Sequence, residues 1–260
     1  MEGFTTELIV VGLLVSGALL HGVTGLGYPM VSTMSVAMLV PLPTAIALVA
    51  LPNIIINLMV LTPSKNAQKA EGVIFFLKKH GLLIVSSVIG CMLGVLFLKN
   101  SPVGWMYLLL SLATLFYIFY SVFGGSTQEK LNAKIKESIV SMIILGGLAG
   151  IVGGATNAMS SILMMYLLAA SDNKNEIVKT SNVCFLLAKV VQIFLLQHEL
   201  VALNSQEIVA LLTITVFSMM ALFLGIKIRN KISTSFFKNL VLLVLLALSI
   251  QAGWRAIALL

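Results

Sequence analysis

Three polar side chains share one face of an otherwise apolar stretch, residues 177–197. Asn182, Lys189 and Gln192 are spaced by seven and three residues, so in a helix they form one stripe. A lysine at the centre of a membrane-spanning helix costs roughly 2.5–3.5 kcal/mol, and it should therefore face the bundle interior or water. There it would supply positive potential for an anion. The alternative is a structural lysine that extends to the interface or pairs with helix carbonyls.

Two glycine-rich breaks predict a second source of positive potential. Residues 16–32 read SGALLHGVTGLGYPMVS, and residues 145–161 read LGGLAGIVGGATNAMSS. Glycines and Pro29 oppose a continuous helix, so each break is predicted to join two short arms in a hairpin that turns at mid-membrane. Helices that start after Gly27 and near Asn157 would point free N–H groups inward, and such ends bind anions. The predicted arms are Leu8–Leu20, Met30–Val40, Ile139–Leu148 and Ile162–Ala170.

Polar residues near the breaks extend this predicted site. Thr24, Tyr28, Thr156 and Asn157 lie at the helix ends and can donate hydrogen bonds. For Thr156 and Asn157, helix capping is the alternative. His21 precedes the first break and is a candidate proton acceptor, although packing is the more common role of a lone membrane histidine.

Asn53 and Asn57, four residues apart in the apolar segment 44–62, share a helix face. They either bind substrate or tie helices together. The complete predicted substrate-binding set is Thr24, Gly25, Gly27, Tyr28, Asn53, Asn57, Gly153, Gly154, Thr156, Asn157, Asn182, Lys189 and Gln192.

Composition identifies the class of protein. Of the 260 residues, 59% are hydrophobic and 10% charged, which excludes a soluble globule and predicts an integral membrane protein. All nine acidic residues lie in predicted loops or span ends, which weakens cation-transporter and proton-pump hypotheses.

Cys91 and Cys184 fall in apolar runs and are interpreted as core residues. We predict no metal, no cofactor and no nucleic-acid partner, and no cleaved signal peptide, because no basic segment precedes the first apolar run.

The chain reads as two copies of one unit. Aligning Gly22 with Gly150 places Gly25 on Gly153, and a one-residue shift places Asn53 on Asn182. Short, glycine-interrupted segments at matching positions in two halves point to a transporter site. The predicted units are residues 1–124 and 138–260, joined by a cytoplasmic linker, 125–137.

The predicted fold is an all-α polytopic membrane protein in which each unit has a broken-helix hairpin and three full spans. The six spans are predicted at about 44–62, 80–98, 103–123, 177–197, 206–226 and 236–257. If both termini are outside, the loops 63–79, 124–137, 171–179 and 227–238 hold 13 of the 16 basic residues on the cytoplasmic side, as the positive-inside rule requires. Each unit then crosses the membrane an odd number of times, which makes the two units an inverted repeat.

The sequence resembles the sulfite exporter TauE/SafE family, also called the toluene sulfonate uptake permease family. The resemblance rests on GVTGLGYPMVSTMSVAMLVPLPTAIALVALPNIIINL in the first half, and on GGLAGIVGGATNAMSSILMMYLLAA followed by KTSNVCFLLAKVVQ in the second. It implies an inner-membrane carrier for sulfur oxyanions or small organosulfur anions.

Together, these features favour a non-enzymatic secondary transporter that moves a small anion by alternating access. The bilayer and the anion are its predicted partners, and a homodimer is left open. An anion channel is the first alternative. A membrane-embedded enzyme acting on a lipid-linked phosphate and a purely structural subunit are the others; the enzyme would need clustered acid, base or nucleophilic groups.

Overall fold

The computed structural model describes residues 2–37, 39–62, 73–100, 102–123, 138–201 and 205–260, and within these ranges the regular structure is entirely helical. The prediction of an all-α fold is confirmed. The described helices are α1 (Glu2–Thr24), α2 (Tyr28–Val36), α3 (Leu42–Leu61), α4 (Val73–Asn100), α5 (Val103–Phe123), α6 (Ile139–Thr156), α7 (Met159–Ala170), α8 (Lys174–Leu195), α9 (Gln197–Val201), α10 (Ser205–Arg229) and α11 (Thr234–Leu259).

The outer surface of the bundle is apolar, as a lipid-facing surface must be. Trp254 and Ile257, for example, are 76% and 77% exposed, and a soluble monomer rarely shows an apolar surface of this extent. Among the described residues, five helices are long and apolar enough to cross a membrane: α3, α4 (from Lys79), α6, α8 and α11. The chain is therefore a multi-pass membrane protein. The other two predicted spans, 103–123 and 206–226, are also helical, as α5 and α10.

The arms that enter the two breaks are longer than predicted. α1 continues to Thr24 and α6 to Thr156, so that only residues 25–27 and 157–158 separate each pair of helices. The first arms are about 34 and 27 Å long and the second arms about 13 and 18 Å. The prediction of short arms of similar length was wrong because a membrane helix tolerates glycines where neighbouring helices pack against them.

Glycines bring two pairs of helices into backbone contact. A Cβ atom on Gly22 of α1 would lie 2.4 Å from the Leu222 carbonyl oxygen in α10. A Cβ on Gly150 of α6 would lie 2.1 Å from the carbonyl oxygen of Ser87 in α4. These separations are too short for any side chain. The glycines at these crossings therefore serve close helix packing, in the small-xxx-small manner of membrane helices.

The packing of the helices agrees with two copies of one unit. The most extensive helix pairs are α4 with α6, α1 with α10, α5 with α11, and α3 with α8. If α1 to α5 are exchanged for α6, α7, α8, α10 and α11 in that order, this set of pairs maps onto itself. The opposite orientation of the two units stays a prediction. Its main evidence is the basic loops, and residues 63–72 and 124–137, with Lys65, Lys69, Lys130, Lys134 and Lys136, lie outside the described residues.

A buried polar cluster holds the beginning of α8 against α4. Glu176 accepts hydrogen bonds from Lys79 at 2.6 Å, from the His80 ring at 2.9 Å and from Ser171 at 2.9 Å. Since a buried carboxylate is costly unless it is paired, these partners explain why Glu176 is tolerated with 7% exposure. The cluster lies at a helix end, as the sequence predicted for the acidic residues.

Candidate functional site

Asn157 is at the centre of a buried hydrogen-bond network at the second break. It ends α6 in the left-handed conformation, with φ of 61°, which asparagine adopts more readily than most residues. Its Nδ2 donates to the hydroxyl of Thr33 in α2 at 2.6 Å. Its Oδ1 accepts from Lys189 and, at 2.7 Å, from Gln192. One side chain therefore joins the second break to α2 and to α8.

Lys189 and Gln192 complete this network from α8. The Lys189 ammonium also donates to Gln192 Oε1 at 2.6 Å, and Gln192 Nε2 donates to the Gly153 carbonyl oxygen at 3.0 Å. Lys189 is 3% exposed. Both hydrogen-bond acceptors that it contacts in the described part of the chain are neutral amides, so its charge is not balanced there by a carboxylate. An ammonium has three N–H groups, and two are used, which leaves one donor for a ligand.

A small cavity opens beside the ammonium. It measures about 10 Å³, near the minimum that one water molecule needs. Its walls are formed by Pro29, Gly153, Asn157, Met159, Phe185, Ala188 and Lys189.

Both short helices begin at this cavity, because Pro29 and Met159 belong to the first turns of α2 and α7. Neither helix has a side-chain N-cap. Their first N–H groups lack intrahelical partners, and they add partial positive charge beside Lys189. A lysine and two helix N-termini therefore converge on one buried space, an arrangement that suits a small anion.

The first break is joined to α8 by a different contact. Asn182 Oδ1 lies 3.0 Å from His21 Nε2, while Asn182 Nδ2 donates to the Gly25 carbonyl oxygen at 3.3 Å and to the Val178 carbonyl oxygen at 2.7 Å. Asn182 and Lys189 are separated by about 10 Å along α8. The predicted stripe on α8 is thus divided: Asn182 holds the first break, and Lys189 with Gln192 holds the second.

Several predicted site residues have other contacts. Thr24 bonds within its own turn, to Leu20 and Leu26, and Thr156 bonds to the Val152 carbonyl oxygen. Tyr28 donates to Ser218 in α10 at 3.2 Å. Neither Thr156 nor Asn157 caps the start of α7, whose N-cap is Ala158. Asn157 is instead the C-cap of α6, so the capping role holds for Asn157 at that helix end.

The remaining predicted residues also lie away from the cavity walls. Gly25 and Gly27 have φ of 74° and 101° and serve the turn, while Gly154 packs against the Cys91 backbone. Asn53 and Asn57 are fully buried in α3. Asn53 Nδ2 bonds to the Val49 carbonyl oxygen at 2.6 Å. Asn53 Oδ1 and both polar atoms of Asn57 have no partner among the described residues.

Thr33 and Phe185 were not among the predicted site residues. Thr33 lies one helical turn after Pro29 and donates back to the Pro29 carbonyl oxygen at 2.7 Å, so counting one turn from the proline could have found it. Phe185 lies four residues before Lys189 on the same face of α8. It is one of many apolar residues in that helix, and no sequence signal distinguished it.

Comparison with known protein families identified the family of this chain. The family model described as "Sulfite exporter TauE/SafE" matches residues 8–252, a range that includes both breaks and all of α8. Searches of curated proteins and of solved structures found no match.

Proposed function

The chain belongs to the sulfite exporter TauE/SafE family, and from that premise we propose that it is a secondary transporter of a small anion. The proposed substrate class is a sulfur oxyanion, either sulfite or an organic sulfonate, in line with the family's description. One observation carries the proposal: the buried Lys189 ammonium, whose described partners are neutral, lies at the common start of two helices. An anion bound there neutralises a charge that is costly to bury alone.

In this proposal the anion takes its hydrogen bonds from three sources. Lys189 supplies its remaining N–H group, and the first turns of α2 and α7 supply backbone N–H groups. Asn157 and Gln192 hold the ammonium in place, because their amide oxygens accept from it. The cavity walls among the described residues include no carboxylate, imidazole or thiol. This composition favours binding and release of the anion over acid–base or nucleophilic chemistry on it.

Transport requires the cavity to change size. A sulfur oxyanion has at least four heavy atoms, and the space beside Lys189 is sufficient for about one water molecule. Binding must therefore be coupled to movement of the helices that form the walls. Both breaks are held to α8 by hydrogen bonds, which can be exchanged during such a movement at small net cost. We propose that the two units rock against each other around α8 and α3, which gives alternating access.

An asymmetry between Asn53 and Asn182 supports two alternating states. Each amide bonds to the carbonyl oxygen four residues earlier, Val49 or Val178. Asn182 also holds Gly25 of the first break, whereas Asn53 Oδ1 is unpartnered among the described residues. In the alternate state we propose that Asn53 holds the second break and that Asn182 releases the first.

The two asparagines are therefore expected to differ when each is changed to alanine. Asn182→Ala leaves the Gly25 carbonyl and the His21 ring without their partner, and should lower the free energy of unfolding by about 1–3 kcal/mol. Asn53→Ala removes the same atoms from an equally buried site, but it deprives no group of another helix or break of a hydrogen bond. It should therefore lower the free energy of unfolding clearly less. Thermal unfolding of both purified variants measures the difference, and equal losses would contradict the proposed asymmetry.

The proposed location is the cytoplasmic membrane, with both termini outside and the basic loops inside. The described basic residues around the α10–α11 connection, namely Lys227, Arg229, Lys231 and Lys238, agree with a cytoplasmic end at that point. On this orientation the first break faces the cytoplasmic half of α8 and the second break the outer half, because α8 begins at Lys174 on the cytoplasmic side.

Flux in proteoliposomes tests the proposed function. With labelled sulfite or an organic sulfonate, we expect saturable uptake that unlabelled anion on the opposite side accelerates, because an alternating carrier returns faster when it is loaded. Non-saturating flux without acceleration would instead identify the channel alternative. Absence of flux for all sulfur oxyanions, in protein that retains its fold, would contradict the proposed substrate class.

A further inference from the structure

A second cationic side chain is buried far from Lys189 along the chain, at the end of α10. Arg229 is 8% exposed, and its Nε and Nη1 have no hydrogen-bond partner within the described residues. A guanidinium keeps its charge under all ordinary conditions, and burying it unpaired is costly. The arrangement resembles the Lys189 site in this respect, since each holds a buried cation that no described acid balances.

The acids near the start of α8, where Lys174 contacts the end of α10, already form ion pairs with other residues. Asp172 forms an ion pair with Lys238 at 2.5 Å, and Glu176 pairs with Lys79 and His80. The Lys174 ammonium donates to the carbonyl oxygens of Arg229 at 3.0 Å and Ile232 at 2.5 Å. The surroundings of Arg229 therefore add further positive charge.

Arg229 is also placed beside the first break. It lies one helical turn after Gly225, and a Cβ atom on Gly225 would be 2.2 Å from the Leu19 carbonyl oxygen in α1. His21, which bonds to Asn182 at that break, lies in α1 between Leu19 and Gly22, two residues that pack against Gly225. An anion held by the guanidinium would therefore lie between the basic loop after α10 and the contact that closes the first break.

We propose that Arg229 forms a second oxyanion-binding site at the predicted cytoplasmic end of the bundle, separate from the Lys189 cavity. A guanidinium presents its N–H groups as planar forks that match two oxygens of one sulfate, sulfonate or phosphate group. The two unpartnered nitrogens belong to different forks, and each fork pairs one of them with an N–H group of Nη2. The oxyanion is either a free anion or the phosphate of an acidic phospholipid, which share this chemistry. The proposal extends the proposed function but does not depend on it, because the site uses none of the Lys189 contacts.

The test measures sulfate binding by calorimetry in the Lys189→Met background, so that binding at the Lys189 site does not contribute to the signal. We expect binding to persist with Arg229 present and to weaken at least about tenfold in Lys189→Met/Arg229→Gln. Lys227→Gln, an equal charge change on an exposed residue of the same helix, is the matched control and should leave binding unchanged. Arg229→Lys keeps the charge but loses the fork, and an intermediate sulfate affinity is expected for it. This variant replaces Arg229→Gln in the test if the glutamine variant fails to fold.

Lipid composition then separates the two sources. In nanodiscs of phosphatidylglycerol, a lipid phosphate at Arg229 would compete with sulfate, and sulfate would bind more weakly than in nanodiscs of phosphatidylcholine. Equal sulfate affinity in both lipids would identify a free anion as the ligand. Sulfate binding that is the same in Lys189→Met, Lys189→Met/Arg229→Gln and the arginine-to-lysine variant would overturn the proposal. If Lys189→Met alone leaves wild-type transport while Arg229→Gln removes sulfate binding, the Arg229 site stands and the Lys189 proposal fails.

Discussion

Lys189→Met is expected to abolish anion transport while the protein still folds. Methionine has a similar length but carries no charge and no N–H group. Loss of a charge-assisted hydrogen bond to the ligand should weaken anion binding by roughly 10- to 100-fold, and loss of the ammonium removes the charge that the anion neutralises. The measurement is sulfonate exchange in proteoliposomes.

Stability should change little in this variant, because two effects oppose each other. Removing a buried cation relieves its desolvation cost. Gln192 Oε1 loses its donor, but Asn157 Oδ1 retains the hydrogen bond from Gln192 Nε2. Lys99→Met is the control, since Lys99 is exposed and donates to the Leu195 carbonyl oxygen at 2.9 Å. Wild-type exchange in Lys189→Met would show that this lysine is structural.

Gly150→Ala is expected to destabilise the protein more than a methyl group added to α6 away from its crossing with α4. The new Cβ would lie 2.1 Å from the Ser87 carbonyl oxygen, and no side-chain rotation can relieve a clash with a backbone atom. α4 and α6 must separate, at a cost of at least about 1–3 kcal/mol. Thermal unfolding of the purified protein in detergent measures the loss.

Gly147→Ala provides the matched control in the same helix. A Cβ on Gly147 would have no other atom within 4 Å, and alanine favours a helix over glycine by about 0.5–1 kcal/mol. This control should therefore be neutral or slightly stabilising. Equal unfolding temperatures for the two alanine variants would mean that the α4–α6 contact does not determine stability.

The sequence predicted the elements of this fold well because membrane helices leave a strong signal. Long apolar runs identify spans directly, and glycine-rich interruptions identified both breaks. The lengths of the arms could not be predicted in the same way. In the sequence alone, Gly22 and Gly150 look like helix breakers. The structure shows that they are packing residues, because the backbones of α10 and α4 lie directly against them.

Only part of the predicted set of site residues lies together in the structure. Lys189, Gln192, Asn157 and Gly153 come together because a helical stripe meets a break. The sequence could not show that Asn182 belongs to the other break, because a seven-residue spacing fixes the face of a helix but not the depth at which its partners lie. It also could not separate Arg229 from the exposed basic residues around it, since burial at a helix end depends on tertiary packing.

Anion-dependent thermal stability is the most direct test of the site beside Lys189. Sulfite, methanesulfonate and sulfate, each with the same counter-cation, would be compared with cations and neutral solutes in wild type, Lys189→Met and Lys99→Met. A ligand of the folded state at a hundredfold excess over its Kd stabilises by about 2.7 kcal/mol. We predict that one or more sulfur oxyanions stabilise wild type and Lys99→Met and lose most of this effect in Lys189→Met. Stabilisation only by cations or neutral solutes, or an undiminished anion effect in Lys189→Met, would contradict the account.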